Sequence, residues 1–234
     1  MNIINLGSSS AGNAFIVESE RDRILLECGF PYKQLQEKSG FNLPKHCLLT
    51  HEHGDHSKGA KDYIRWHGKL FCSAGTMETL NLDGLALQEK RQYLIAGFLV
   101  VPFCLIHNAS EPFGYIIHHP GSLKTLLFII DTHFTGYKFN RLPYKLTHLL
   151  IECNHDLEEL SETVNDGHLK NALDNHLSLQ DLKELLNANN LKHVEQINLC
   201  HLSGSNLDPH KAKKEIQILT GLPVRMFSRN GGYF

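Results

Sequence analysis

The stretch Cys47-Leu48-Leu49-Thr50-His51-Glu52-His53-Gly54-Asp55-His56 runs from an apolar strand directly into four side chains able to bind a cation. In an extended or turning chain, residues two apart share a side, so His51 and His53 can converge on one centre. Asp55 and His56 can then reach a second centre a few ångströms away. A polar loop rich in histidine by chance is the bland alternative, and H-x-H-x-D-H at the end of a buried strand argues against it. The local pattern predicts a two-metal arrangement.

Outward from that point, short apolar runs bounded by Gly, Ser, Asn and Pro read as strands. They cover Asn2 to Leu6, Ala14 to Glu18, Arg23 to Glu27, His46 to Thr50 and Lys69 to Ser73. Helical patterns follow in Tyr32 to Lys38, Gly59 to His67 and Thr76 to Leu80. The middle predicts strands over Tyr93 to Phe103, Phe113 to His118 and Thr125 to Ile130, with a turn at Pro120-Gly121. Two more strands, Leu149 to Glu152 and Gln196 to Cys200, flank a helix with apolar Leu179, Leu182, Leu185 and Leu186. Ser178 and Asp181 supply its N-cap pattern, and Pro209 to Thr220 reads as a last helix. No repeat, linker or low-complexity tract interrupts this order, so a single α/β domain over residues 1–234 is expected.

Composition narrows the chemistry. The 234 residues carry a formal net charge of −2, so bulk charge proposes no nucleic-acid face. The longest apolar run, Ile95 to Ile106, contains Pro102 and falls short of the roughly 20 residues of a membrane span. Met1 to Gly7 has no basic n-region or apolar h-region, and a cytoplasmic protein with no membrane partner is expected. Six widely spaced cysteines without a C-x-x-C pair read as small buried hydrophobes. The 16 dispersed histidines make metal or acid–base chemistry the first hypothesis.

The H-x-H-x-D-H run after a hydrophobic strand resembles the signature of the metallo-β-lactamase superfamily of hydrolases, and the other family positions follow in order. His107, after the apolar run Leu99 to Ile106, resembles the third metal ligand; Asp131, after Leu126 to Ile130, resembles the bridging carboxylate; His201, after Gln196 to Cys200, resembles the final ligand. Gly7-Ser8-Ser9-Ser10-Ala11-Gly12-Asn13-Ala14, Ile151-Glu152-Cys153-Asn154-His155-Asp156, Asn175-His176-Leu177-Ser178 and His201-Leu202-Ser203 with Asn206 are similar to motifs of its YycJ-like branch. Glu27 and Asn108 depart from that branch, where Asp is common at both places.

The resemblance implies a four-layer αββα sandwich with the site along one edge. It implies two divalent ions, Zn or Mn with Fe as a further option, one on His51, His53 and His107, the other on Asp55, His56 and His201, with Asp131 between. A hydroxide bridging the two ions would attack, oriented by Asp55, and His155 and His176 are the candidates for proton donor. Gly7 to Asn13 offers either a nest of backbone N–H groups for an anion or a plain β-turn. Members of the branch are regarded as nucleases acting on DNA ends, so a metal-dependent phosphodiesterase, exonuclease-like on DNA, is the leading expectation. Some 70 residues separate Asp131 from His201, too few for the clamp domain inserted in larger nucleases of the superfamily. Two alternatives stay open at this level: a hydrolase of a small ester, thioester, lactone or cyclic nucleotide, and a non-hydrolytic redox metal protein.

Overall fold

Alternation along the strands sorts the apolar residues into layers. In a computed structural model of the chain, which describes all residues except 135–137 and 161–165 and only the backbone of 166–169 and 171, two sheets face each other. The first has the order β1 (Asn2–Ser9), β2 (Gly12–Ser19), β3 (Asp22–Leu26), β4 (His46–Leu48), β5 (Lys69–Ser73) and β6 (Leu85–Leu87). The second, from its other edge inward, is β7 (Tyr93–Ile95), β8 (Phe98–Cys104), β9 (Phe113–His119), β10 (Lys124–Ile129), β11 (His148–Glu152), β12 (Gln196–Cys200) and β13 (Val224–Met226). Hairpins join the first three strands of one sheet and β7 to β10 of the other; β3 to β6 and β10 to β13 are parallel.

Side chains two apart share a face. Phe15 and Val17 of β2, Ile24 and Leu26 of β3, and Leu126 and Phe128 of β10 therefore meet in the cluster between the sheets. Their neighbours point outward. Ala14, Ile16 and Leu25 pack with Leu35 of α1 (Tyr32–Lys38) and with Ala60 and Tyr63 of α3 (Ala60–Trp66). Leu127 and Ile129 pack beneath α6 (Leu179–Asn187) and α7 (Pro209–Thr220), through Leu182, Leu185, Ala212 and Ile216. Helices thus cover both outer faces, which gives the four-layer αββα arrangement. Strands buried on both faces need continuous apolar runs, and this is why the sequence pattern there is dense rather than alternating.

Several boundaries differ from the sequence reading. The single strand expected over Tyr93 to Phe103 is a hairpin, because Ala96 and Gly97 both take positive φ (50° and 82°), the backbone of a tight two-residue turn. Helix α5 (Asp166–Asn175), the edge strands β6 and β13, and the short α2 (Gly54–Ser57) carry little pattern of their own. The N-cap at Ser178 is as read, its hydroxyl accepting from Asp181 N–H at 3.0 Å. Among the described residues no helix is long and apolar enough to cross a membrane.

Candidate metal centre

The chemistry-bearing residues lie where strands of both sheets end at one edge. Glu27 follows β3, Thr50 and His51 follow β4, His107 follows β8, Asp131 follows β10, Glu152 closes β11 and His201 follows β12. At three of these ends, Glu27, Asp131 and His201, the backbone turns out of the sheet through positive φ of 67°, 51° and 51°. Left-handed backbone at a residue with a side chain costs about 1–3 kcal/mol, and here it falls on strand ends that aim side chains at a common point. The first sheet approaches so closely that a Cβ on Gly29 would lie 1.8 Å from the Asp55 carbonyl oxygen, so only glycine fits there.

His51, His53, His107 and Asp131 form one group whose ligand atoms lie within 4.8 Å of one another. His107 Nε2 stands 3.1 Å from His53 Nδ1, and Asp131 Oδ2 is 3.6 Å from His51 Nε2 and 3.8 Å from His107 Nε2. Two of the rings are fixed from behind by neutral groups: His51 Nδ1 by the Thr50 hydroxyl at 2.9 Å, and His107 Nδ1, donating, by the Asn175 carbonyl at 3.0 Å.

Asp55, His56, His201 and the same Asp131 form the second group. His56 Nε2 lies 3.0 Å from Asp131 Oδ2 and 3.3 Å from Asp55 Oδ2; His201 Nε2 lies 3.4 Å from Asp55 Oδ2. This group is backed by carboxylates. Glu152 Oε1 accepts from His201 Nδ1 at 3.0 Å and from His176 Nδ1 at 2.7 Å, and its other oxygen accepts from Leu177 and Thr132 N–H. Glu27 Oε2 faces His56 Nδ1 at 3.6 Å, too long for a hydrogen bond. The motif at the start of the chain also serves this group: Ser8 Oγ accepts from His201 N–H at 2.8 Å, and Asn13 Nδ2 reaches Asp55 Oδ2 at 3.4 Å. Its turn is closed by Asn5 Oδ1 on Gly7 N–H and Ser9 Oγ on Ala11 N–H, which favours the β-turn over the anion nest.

The donor set fits cations. His51 Nε2 is buried with no hydrogen-bond partner, an arrangement costing about 1–3 kcal/mol that coordination would relieve. Among the described residues, Asp55, Asp131 and Glu152 gather with only histidines as ion-pair partners. Burial opposes their charge, yet the neighbouring imidazoles hold all three below the ordinary carboxylate range. The histidines divide. Burial, reinforced by the neighbouring rings, lowers His51 and His107. Burial also opposes a charged His56 and His201, but Asp131 first and then the other carboxylates outweigh it, raising His56 and carrying His201 to about 10. Buried anions in the metal-free protein are thus balanced by imidazolium protons that a bound cation would displace.

The seven residues expected as ligands therefore come together in two groups sharing Asp131. The two proton-donor candidates separate. His176 lines a groove beside the centre, stacks on His201 with ring centroids 5.2 Å apart, and is held above its ordinary range by Glu152 against burial. His155 is 1 % exposed, with Nδ1 unpartnered among the described residues and its pKa lowered by burial. Asn108 is exposed and makes no side-chain hydrogen bond among the described residues. The residue the sequence reading passed over is Glu152, although a carboxylate closing the apolar run Leu149 to Ile151 was a usable signal.

No family model matches the chain. Two curated relatives do: exodeoxyribonuclease YycJ of Bacillus anthracis, 25% identical over 66% of this chain and 63% of that protein, and exodeoxyribonuclease WalJ of Streptococcus pneumoniae serotype 2, 26% identical over 86% and 81%. The chain spans less than two thirds of the first of these. Among solved structures it superposes on the metallo-β-lactamase fold protein YhfI from Bacillus subtilis with a TM-score of 0.72 at 17% identity, covering 99% of this chain and 98% of that one. Zn(2+)-bound PqqB from Methylobacterium extorquens gives 0.69 at 13% identity over 100% and 99%. CmlA, a diiron β-hydroxylase from Streptomyces venezuelae, gives 0.63 at 12% identity over 99% of this chain and 53% of that one.

Proposed function

We propose that this chain, which has the metallo-β-lactamase fold and is similar to YycJ and WalJ exodeoxyribonucleases, is a dinuclear metal-dependent phosphodiesterase acting on DNA from an end. The observation that carries this reading is the pair of ligand groups sharing Asp131 beside a groove lined by His176, whose ring buried Glu152 holds from behind. A fold shared with both a zinc-bound protein and a diiron hydroxylase leaves the choice of chemistry to the side chains.

In this reading His51, His53, His107 and Asp131 hold one cation, and Asp55, His56, His201 and Asp131 hold the other. Divalent ions such as Zn or Mn, when bound, supply a water activated at neutral pH and charge neutralisation at the phosphate oxygens. The chain supplies the rest. Asp55, one-fifth exposed and held ionised by His201 and His56, accepts a hydrogen bond from the attacking water and orients it. His176, kept protonated by Glu152 with Nδ1 engaged, donates from Nε2 to the departing oxygen. His155, closed off from the groove, takes no part in proton transfer. The test is metal quantitation on untreated protein paired with digestion of 5′-phosphorylated DNA. Metal-loaded protein degrades the DNA and Asp55→Ala does not; full activity in that variant overturns the reading.

A further inference from the structure

A groove of about 970 Å³ opens from His176 and His201 and runs over the β1–β2 turn and the loop after β12 to Arg229. That volume is at the upper end of the roughly 300–1,000 Å³ of small-ligand sites, roomy for one phosphoester group. Its lining contains no Asp or Glu side chain among the described residues. Ser8 is already committed, accepting from His201 N–H and donating to Asn13 Oδ1. Ser203 Oγ accepts two backbone N–H groups, from Ser205 and Asn206, and so keeps its own O–H to donate. Arg229 is exposed and forms no ion pair among the described residues. It lies along the wall that begins at the metal centre, in a protein whose net charge is slightly negative. An unpaired guanidinium over a hydroxyl-lined floor without Asp or Glu side chains suits a phosphate, which it can meet with two parallel N–H bonds.

We propose that the groove is a strand subsite in which Arg229 holds a phosphate other than the one being hydrolysed, so that Arg229 distinguishes nucleic-acid strands from single phosphodiesters. The proposal rests on the phosphodiesterase reading for its substrate class and deepens it. Single phosphodiesters occupy only the end at His176 and His201, and a strand continues along the groove to Arg229. Phe234, half exposed on the same wall, offers an apolar face beside that phosphate.

The experiment has a binding arm and a turnover arm. In the first, a short fluorescein-labelled oligothymidylate is titrated against the full chain in chelator over a range of salt. Arg229→Ala weakens binding about tenfold and flattens the log–log salt slope by about 0.7, one phosphate contact on a single strand. Arg229→Lys keeps the slope and loses only part of the affinity, since charge remains and the two-bond geometry does not. In the second arm, Arg229→Ala raises KM on the oligonucleotide about tenfold with kcat little changed, and leaves bis(p-nitrophenyl) phosphate turnover as in the wild type. Unchanged affinity and slope overturn the subsite, as does an equal loss on both substrates. Arg229-dependent binding in a protein that hydrolyses neither substrate leaves the subsite standing and sinks the phosphodiesterase reading; oligonucleotide hydrolysis indifferent to Arg229 does the reverse.

Discussion

The two halves of the metal centre use the same residue types at the same sheet edge and are supported differently. His51 and His107 lean on a hydroxyl and a backbone carbonyl, whereas His56 and His201 face Glu27 and Glu152. Neutral support leaves the first pair of imidazoles lowered by burial and by each other's neighbourhood. Carboxylate support and Asp131 raise the second pair. The difference teaches that ligand identity alone does not set how a site loads: burial shifts His51 and His107 of the first half towards their neutral form, whereas His56 and His201 of the second must shed protons before they can coordinate.

Asp131 is the one residue both halves share, so its removal should erase the contrast. Asp131→Ala is expected to empty both positions and to lower hydrolysis by about 10³-fold or more, the loss of several kcal/mol of charge stabilisation. Retention of one full equivalent of metal in that variant would show the halves to be independent. Glu152→Gln should act on one half only. It weakens the second equivalent by about 10–100-fold, the usual effect of removing a carboxylate behind a ligating histidine, and leaves the first untouched. The same variant disarms His176, so its turnover should fall even where saturating metal restores occupancy. Equal weakening of both equivalents breaks the comparison.

How much of this asymmetry was legible beforehand depends on distance along the chain. The first four ligands were readable because they sit within six residues after one apolar strand, and His107, Asp131 and His201 through the family resemblance, each after another predicted strand. Dense apolar runs made a single α/β domain legible, and the four-layer sandwich came with the family resemblance. Which ring each supporting group meets was not legible. Glu152 meets His201 across 49 residues and Ser8 meets it across 193, and no local periodicity encodes such pairings. The hairpin at Ala96-Gly97 was hidden inside a run that stays apolar through the turn, so hydrophobic pattern outweighed turn chemistry.

Proton counting sharpens the comparison next. Burial shifts His51 and His107 towards their neutral form, so the first equivalent should bind with a shallower pH dependence than the second. His56 and His201, shifted up, are protonated in the metal-free protein. The second equivalent therefore binds more tightly as pH rises, by about tenfold per unit for each proton displaced, and the trend persists towards the His201 value of about 10. Titration calorimetry in buffers of different ionisation enthalpy reads the protons released with each equivalent. Equal release at both steps would remove the distinction between the halves.

The smallest effect isolates the geometry of support from its charge. Glu27 and Glu152 are both fully buried, yet Glu152 makes short hydrogen bonds and is held ionised by His176 and His201, while burial raises Glu27, whose oxygen stops 3.6 Å from His56 Nδ1. A carboxyl beyond hydrogen-bond length does not fix the ring, although its charge still adds to the raising of His56. Glu27→Gln should consequently lower affinity for the second equivalent less than the ~10-fold lower bound expected where a supporting carboxylate is bonded to its histidine. Thr50→Val, which removes the hydroxyl 2.9 Å from His51 Nδ1, should weaken the first equivalent by a similarly modest factor through ring orientation alone. If Glu27→Gln instead matched Glu152→Gln, a hydrogen bond from His56 to Glu27 would have to close when metal binds. The second half would then be supported symmetrically by both sheets rather than chiefly by the strand that ends in Glu152.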